Sequence, residues 1–244
     1  MNPHSKIRNP HSKDWLFCEL PKVDYNDALQ LQRSIVAAKN TGYLTEDLVL
    51  MLEHPPVYTL GRRGGMENLN VSADFLEEKS IPVIPIERGG DITYHGPGQL
   101  IVYPILHLGN LKLSVTHYVE RLEDVMLRIA NEWHITAERN DRNRGVWVGS
   151  NKLGSIGINI RHGVTFHGLA LNATVDLTPF EWINPCGLSD VGMTSMQIES
   201  DLPVDMNDVR RSARRHIQDV FDVRLKQMSR DQLLRTLEAE ELSA

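Results

Sequence analysis

Cysteine is almost missing from this chain: its 244 residues include only Cys18 and Cys186. Two cysteines cannot make a disulfide framework, and neither lies in a C-x-x-C pair, so a reducing, cytoplasmic setting fits best. Basic excess is missing too. A formal net charge of −6 lacks the footprint of a general nucleic-acid binder, so no nucleic acid is expected as a partner. No apolar run approaches the roughly 20 residues that span a bilayer, and the polar N-terminus has no apolar signal stretch, so no membrane partner is expected either. With no H-E-x-x-H and no cysteine cluster, no metal site is expected.

A hydrophobic share of 41% is sufficient for a core, and the length suits one domain of generous size. Asn2-Pro-His-Ser-Lys6 recurs as Asn9-Pro-His-Ser-Lys13. Residues 1–13 therefore read as a leader or duplication without structure, and residues 14–244 as a single domain.

Asp24 can cap a helix to about Lys39, with Tyr25, Ala28, Leu29 and Val36 on one side. Leu48 to Leu52, Val57 to Leu60 and Leu100 to Ile105 read as short buried strands. Prolines at 82 and 85 confine Ile81 to Ile86 to a short or edge strand. Residues 61–80, glycine-rich and then charged, suggest a mobile surface segment. Ser114 caps a helix to about Trp133 with an apolar stripe from Tyr118 to Ile129. Val146 to Val175 reads as an antiparallel meander turning at Ser150-Asn151 and His162-Gly163. A late helix carries Val209, Ala213, Ile217 and Phe221, and Ser229-x-x-Gln232 forms a capping box for the last one. Helices and strands without a βαβ rhythm indicate an α+β fold with a mixed or antiparallel sheet flanked by helices.

Three pieces carry chemistry. Arg88-Gly-Gly-Asp-Ile-Thr-Tyr-His95, continuing to Gln99, packs four glycines into a short loop where the backbone can approach a ligand closely. It is neither a P-loop nor a G-x-G-x-x-G loop. It also suits an ordinary turn with His95 as a structural histidine. In Lys152-Leu-Gly-Ser-Ile-Gly-Ile-Asn-Ile160, the isoleucines alternate onto one face and Ser155, Gly157 and Asn159 onto the other. Gly168 and Ala170 repeat the small face, opposite His167, Leu169 and Leu171, so two strands with small residues at one level suggest a groove. Strict alternation puts Lys152 on the Ile156 face; a bulge at Gly154 would reverse that. In Trp182-Ile-Asn-Pro-Cys-Gly187, Pro185 and Gly187 suit a presented thiol, although a buried structural cysteine is the commoner fate. As a nucleophile, Cys186 would need a cationic neighbour to favour its thiolate. Lys152 or His95 could supply the charge.

Jointly these pieces resemble the lipoyl(octanoyl) transferases. The resemblance spans roughly residues 48–200: Arg88-Gly-Gly-x-x-Thr-Tyr-His95 with Gly98-Gln99, Gly149-x-x-Lys152 to Ser-Ile-Gly157, His167-Gly-Leu-Ala-Leu-Asn172, and Pro185-Cys-Gly187 with Thr194-Ser195. It implies a fold similar to the catalytic domain of biotin and lipoate protein ligases, and a catalytic acyltransferase domain over 14–244. The resemblance further implies an acyl-thioester on Cys186, with Lys152 lowering the thiol pKa. It assigns substrate contacts to Arg88, Gly89, Gly90, Asp91, Ile92, Thr93, Tyr94 and His95, to Ser155, Ile156 and Gly157, and to Gly168, Leu169 and Ala170. The implied donor is octanoyl-acyl carrier protein. The implied acceptors are lipoyl domains of 2-oxoacid dehydrogenase complexes and the glycine cleavage H protein. Thioester to amide is downhill, so no cofactor and no ATP are required.

Two rival readings share the fold: an ATP-dependent lipoate or biotin protein ligase, which needs no nucleophilic cysteine, and an inert acyl-binding protein. Arg210, Arg211, Arg214 and Arg215 form either a solvated helix face or a surface that steers an acidic carrier protein.

Overall fold

Strands that are apolar on both faces have to be covered on both faces, and here they are. The computed structural model describes residues 13–140, 143–184 and 192–241. The chain opens with β1 (Lys13–Lys22), α1 (Tyr25–Asn40), β2 (Leu48–Glu53), β3 (Val57–Leu60), α2 (Ala73–Glu78) and β4 (Val83–Pro85). It continues through β5 (Ile92–His95), β6 (Gln99–Ile105), α3 (Leu108–Leu111), α4 (Val115–Glu132), β7 (Gly145–Val148), β8 (Asn151–Arg161) and β9 (Val164–Asn172). Last come β10 (Gly192–Met193), α5 (Met196–Glu199), α6 (Met206–Phe221), β11 (Val223–Gln227) and α7 (Arg230–Glu241).

The main sheet runs β10-β8-β9-β6-β2-β1-β11, with β7 on the other edge of β8. Pairing is parallel between β1 and both β2 and β11, and antiparallel through β2, β6, β9 and β8. The sheet is thus mixed, as the sequence indicates. Its two faces alternate residue by residue. Trp15, Phe17, Val49, Met51, Leu100, Val102, Leu169 and Leu171 meet the apolar stripes of α4 and α6. Leu48, Leu50, Leu52, Ile101, Tyr103 and Phe166 meet those of α1 and α7. A second sheet, β4-β3-β5, leans its own small core on Phe180 and Ile183.

Local chemistry places the helix starts. Asp24 accepts from the Asn26 N–H at 2.8 Å and Ser114 from the His117 N–H at 3.1 Å. Ser229 and Gln232 cap reciprocally, each side chain accepting the other's N–H. His162 and Gly163 turn the β8–β9 hairpin with φ of 50° and 83°, the mirror-image geometry that a tight hairpin prefers.

Three expectations change. Residues 61–80 hold a 3-10 turn (Met66–Asn68) and α2, whose Leu76 is buried, and residues 61–63 bond through their backbone to residues 88–91. The segment therefore carries secondary structure, while most of its residues lie at the surface as expected. β1 and β11 carry no sharp periodic signal, yet they pair with each other and enclose Trp15 and Phe17. Lys13, the last residue of the repeat, opens β1 opposite Val223; residues 1–12 lie outside the described residues. No helix among the described residues is long and apolar enough to cross a membrane.

Gly168 is a packing requirement. A Cβ there would sit 2.1 Å from the Val102 carbonyl oxygen, in the backbone of the adjacent strand, whereas one at Gly89 would be 3.6 Å from its nearest neighbour. Gly168→Ala is expected to destabilise by about 1–3 kcal/mol, the usual cost of overpacking. Gly89→Ala is expected to leave stability nearly unchanged. Urea denaturation of both variants checks the contrast, and similar midpoints would refute it.

Candidate active site

A bulge in β8 brings the pieces together. Val146 pairs with Gly154 but Trp147 pairs with Lys152, so Leu153 is an extra residue on β8. Leu153 and Ile156 consequently share the α4–α6 face although three positions separate them. The parity break turns Lys152 away from the isoleucines and onto the face of Ser155 and Gly157. Lys152 is 1% exposed, and burial of an ammonium is costly unless it is well partnered. Its Nζ donates to Asn143 Oδ1 at 2.9 Å and lies 5.1 Å from the centroid of the Trp147 ring. Gly145 completes this cradle, since a Cβ there would meet the Lys152 Cε. Helix α4 anchors the cradle: buried Glu123 accepts from the Gly145 N–H at 3.0 Å and pairs with Arg139 and Arg144.

Lys152 stands at one end of a slot of about 830 Å³, a size that suits a small-molecule site. One wall is the small face of the β8–β9 hairpin, where Ser155 pairs with Ala170 and Gly157 with Gly168. The opposing wall is the loop from Arg88 to Asp91. That loop docks on the edge of β8 beyond β7: Gly89 N–H donates to the Ile158 carbonyl at 2.9 Å, and Asn159 Nδ2 donates to the Glu87 carbonyl. Arg88 is held by Thr59, donating to its carbonyl and its hydroxyl at 2.8 Å each, and its side chain lies where a Gly157 Cβ would be.

The inner end is a buried polar corner of Tyr25, His95, Tyr103 and His167. His54 Nδ1 donates to the Val23 carbonyl, leaving Nε2 to accept the Tyr103 hydroxyl at 2.8 Å. His95 Nδ1 donates to Gln99, whose amide donates to Asn172, which donates to the Thr194 carbonyl. Burial holds all three histidines far below their ordinary value, His54 at about 4 and His95 and His167 at about 3. Positive charge on Arg88 pushes His95 and His167 further the same way. His95 is therefore neutral near pH 7 and does not supply the positive charge expected of it as an alternative to Lys152.

Thirteen of the fourteen expected contact residues line the slot with Lys152. Tyr94 is the exception, its ring packed against Tyr58 and Phe180 in the smaller core. Cys186 falls in 185–191, outside the described residues. Its flanks are placed: Asn184 N–H bonds to the Asn68 carbonyl, and Gly192-Met193 pairs with Asn151-Lys152. The arginines of α6 are engaged within the chain. Arg210 pairs with Glu19 and Glu53, Arg211 with Asp208 and Arg215 with Glu132, while Arg214 lies over the Phe17 ring. Sequence reasoning missed Asn143, Trp147, Glu123, Tyr25 and Tyr103, and it gave His167 no role. Only the fold brings Asn143 and Tyr25 within reach of the slot.

Residues 24–218 match the lipoyl protein ligase A/B catalytic domain. An octanoyltransferase of Desulfotalea psychrophila is 49% identical over 205 residues, covering 83% of this chain and 92% of that protein. A bi-partite lipoate protein ligase from Thermoplasma acidophilum superposes with a TM-score of 0.72 at 14% identity, covering 95% of this chain and 92% of the other. Biotin protein ligase from Aquifex aeolicus superposes at 0.54 and 12% identity, covering 84% and 70%. The two superpositions speak to the fold alone, and the expected likeness to lipoate and biotin ligases holds.

Three neutral buried histidines tie stability to pH. An unfolded histidine titrates near 6.5, so between there and the folded values of about 3 to 4 the unfolded chain binds more protons. Their contribution is complete above about pH 6.5 and is lost as pH falls, at up to about 1.4 kcal/mol per pH unit for each histidine. His95→Gln is expected to reduce the slope of unfolding free energy between pH 6 and 4 by about that amount. Urea titrations at several pH values check it, and an unchanged slope would show that His95 is protonated in the fold.

Proposed function

Because the chain belongs to the lipoyl protein ligase A/B catalytic-domain family, we propose that it is a cytoplasmic octanoyltransferase. It carries octanoyl from octanoyl-acyl carrier protein, through a thioester on Cys186, to a lysine of lipoyl domains in 2-oxoacid dehydrogenase complexes and of the glycine cleavage H protein. The observation that carries this reading is the buried Lys152, held at the mouth of a slot walled by tiny side chains. The segment containing Cys186 returns to the sheet beside it, at Gly192 opposite Asn151. Six residues separate Cys186 from Gly192, and an extended chain covers at most about 3.6 Å per residue. The sulfur is thereby tethered within about 22 Å of that point and can reach the lysine.

The reaction is balanced as two acyl transfers. With Lys152 as ammonium, the Cys186 thiolate attacks the donor thioester, forming one carbon–sulfur bond as the carrier's breaks. The departing carrier thiolate takes the Lys152 proton. Neutral Lys152 then accepts a proton from the acceptor amine as its nitrogen attacks the acyl-enzyme, giving the amide and restoring the thiolate–ammonium pair. Asn143 and Trp147 are positioning residues here: an amide oxygen and an indole face both satisfy an ammonium, and they aim Nζ into the slot. No ATP enters, which separates this reading from a ligase of the same fold.

Intact mass after mixing with octanoyl-acyl carrier protein, without ATP, is expected to show one hydroxylamine-sensitive octanoyl adduct that Cys186→Ser abolishes. Lys152→Ala should slow acylation about 10²–10⁴-fold near pH 7. An adduct that requires ATP and free acid would replace this reading with the ligase, and no adduct under either condition would leave an inert binder.

Asn143→Ala removes one hydrogen bond to a charged group, worth about 1.5–3 kcal/mol. Acylation should therefore slow about 10–100-fold at pH 7, with the deficit shrinking as pH passes the ordinary thiol range near 8.5. A deficit that stays constant with pH would show that Asn143 acts only on folding.

A further inference from the structure

At its inner end, the slot ends in groups that a hydrocarbon cannot satisfy. His167 is 1% exposed, and neither of its ring nitrogens has a hydrogen-bond partner among the described residues. A neutral imidazole carries one donor and one acceptor, and both are unspent here. The backbone makes this arrangement deliberate. His167 has φ of +57°, a sparsely populated conformation for a residue with a side chain, inside an otherwise regular strand. By register with Ile158 its side chain belongs on the isoleucine face, yet its ring lies against Phe166 and Tyr103 on the slot side. Gln32 holds the turned backbone, accepting the His167 N–H at 2.7 Å. That bond fixes the orientation of the Gln32 amide, whose buried Nε2 is a second donor without a partner among the described residues. Tyr25 and Tyr103 line the same corner.

This corner lies opposite Lys152 along the hairpin. His167 pairs with Ile158, and the Lys152 stem runs along β8 so that its Cε lies beside Gly145, which pairs with Ser155; the end of the lysine is thus three positions from the level of His167, about 10 Å at about 3.3 Å per residue. An acyl chain of eight carbons spans about 9 Å with bonds near 1.5 Å. With its carbonyl in reach of Lys152, its last carbons point to the histidine.

We propose that the inner end of the slot is a recognition subsite for a hydrogen-bonding atom at the far end of a medium-chain acyl group, a hydroxyl being the simplest, with His167 as its partner. The inference rests on the acyl-transfer reading and deepens it. An octanoyl methyl leaves the imidazole unsatisfied, whereas a terminal hydroxyl can donate to one ring nitrogen or accept from the other.

The test is competition between octanoyl- and 8-hydroxyoctanoyl-acyl carrier protein for acylation of the same enzyme preparation, so that any loss of folded protein cancels in the ratio. The wild type is expected to take the hydroxylated donor at least one third as efficiently as octanoyl. His167→Phe, which keeps a ring but no hydrogen-bonding atom, should shift the ratio at least tenfold toward octanoyl. His167→Gln should restore most of the wild-type ratio. A wild type that rejects the hydroxylated donor by more than tenfold overturns the subsite and leaves octanoyl transfer intact. A His167→Phe ratio equal to wild type also overturns it, assigning the histidine to folding. Failure of the wild type with both donors overturns the acyl-transfer reading as well.

Discussion

One extra residue in one strand decides what the sheet can do. Without Leu153, β8 would alternate strictly and Lys152 would face the apolar cluster to which Met126, Ile129 and Leu169 belong. With it, the ammonium swings to the small face and meets an amide oxygen and an indole ring. Bulges recur beside active sites because they re-aim a side chain without changing the fold. The core itself secures this bulge. Leu153 is fully buried, so sliding β8 by one residue to erase it would take a leucine out of the apolar face and turn the lysine into it.

The two ends of the slot solve the problem of burial in opposite ways. At the mouth, a lysine is kept in place by partners that suit a charge, and the cradle is tied to α4 through Glu123, Arg139 and Arg144. At the inner end, burial drives His95 and His167 neutral and the Arg88 guanidinium adds to the effect. Arg88 serves both ends. It ties the loop to Thr59, fills the space over Gly157 and discourages further positive charge beside it. The outcome is a slot with a lysine at one end and a polar, uncharged corner at the other, and between them runs the small face of the β8–β9 hairpin.

Much of this was legible in the sequence, and the reason is periodicity. The alternation of Ser155, Gly157 and Asn159 against three isoleucines, repeated by Gly168 and Ala170, identified a groove before any coordinates, and Gly157 does pair with Gly168. Caps at Asp24, Ser114 and Ser229 were equally plain because their chemistry is local. What stayed hidden was non-local. The bulge could be posed as a possibility, but it is fixed by the pairing of β7 with β8. Asn143 and Trp147 gain meaning only through Lys152. His95 looked like a possible cation because a sequence carries no burial, and burial is what makes it neutral. The α6 arginines read as a basic face because their acidic partners lie on β1, β2 and α4.

Likeness of fold cannot choose between the chemistries this scaffold supports, since a lipoate protein ligase and a biotin protein ligase superpose on it at low sequence identity. The choice falls to the slot mouth. Activation by ATP needs phosphate contacts and leaves no work for a thiol. Transfer from a thioester needs a cation that is buried, oriented and within reach of a sulfur. A surface lysine would be a poor cation for that purpose, because water screens its field and its flexible stem spreads the charge over many positions. Lys152 escapes both weaknesses by burial and by its cradle. A buried lysine costs stability unless its amine is satisfied, and the Asn143 amide oxygen and the Trp147 ring supply that satisfaction while holding Nζ in one place.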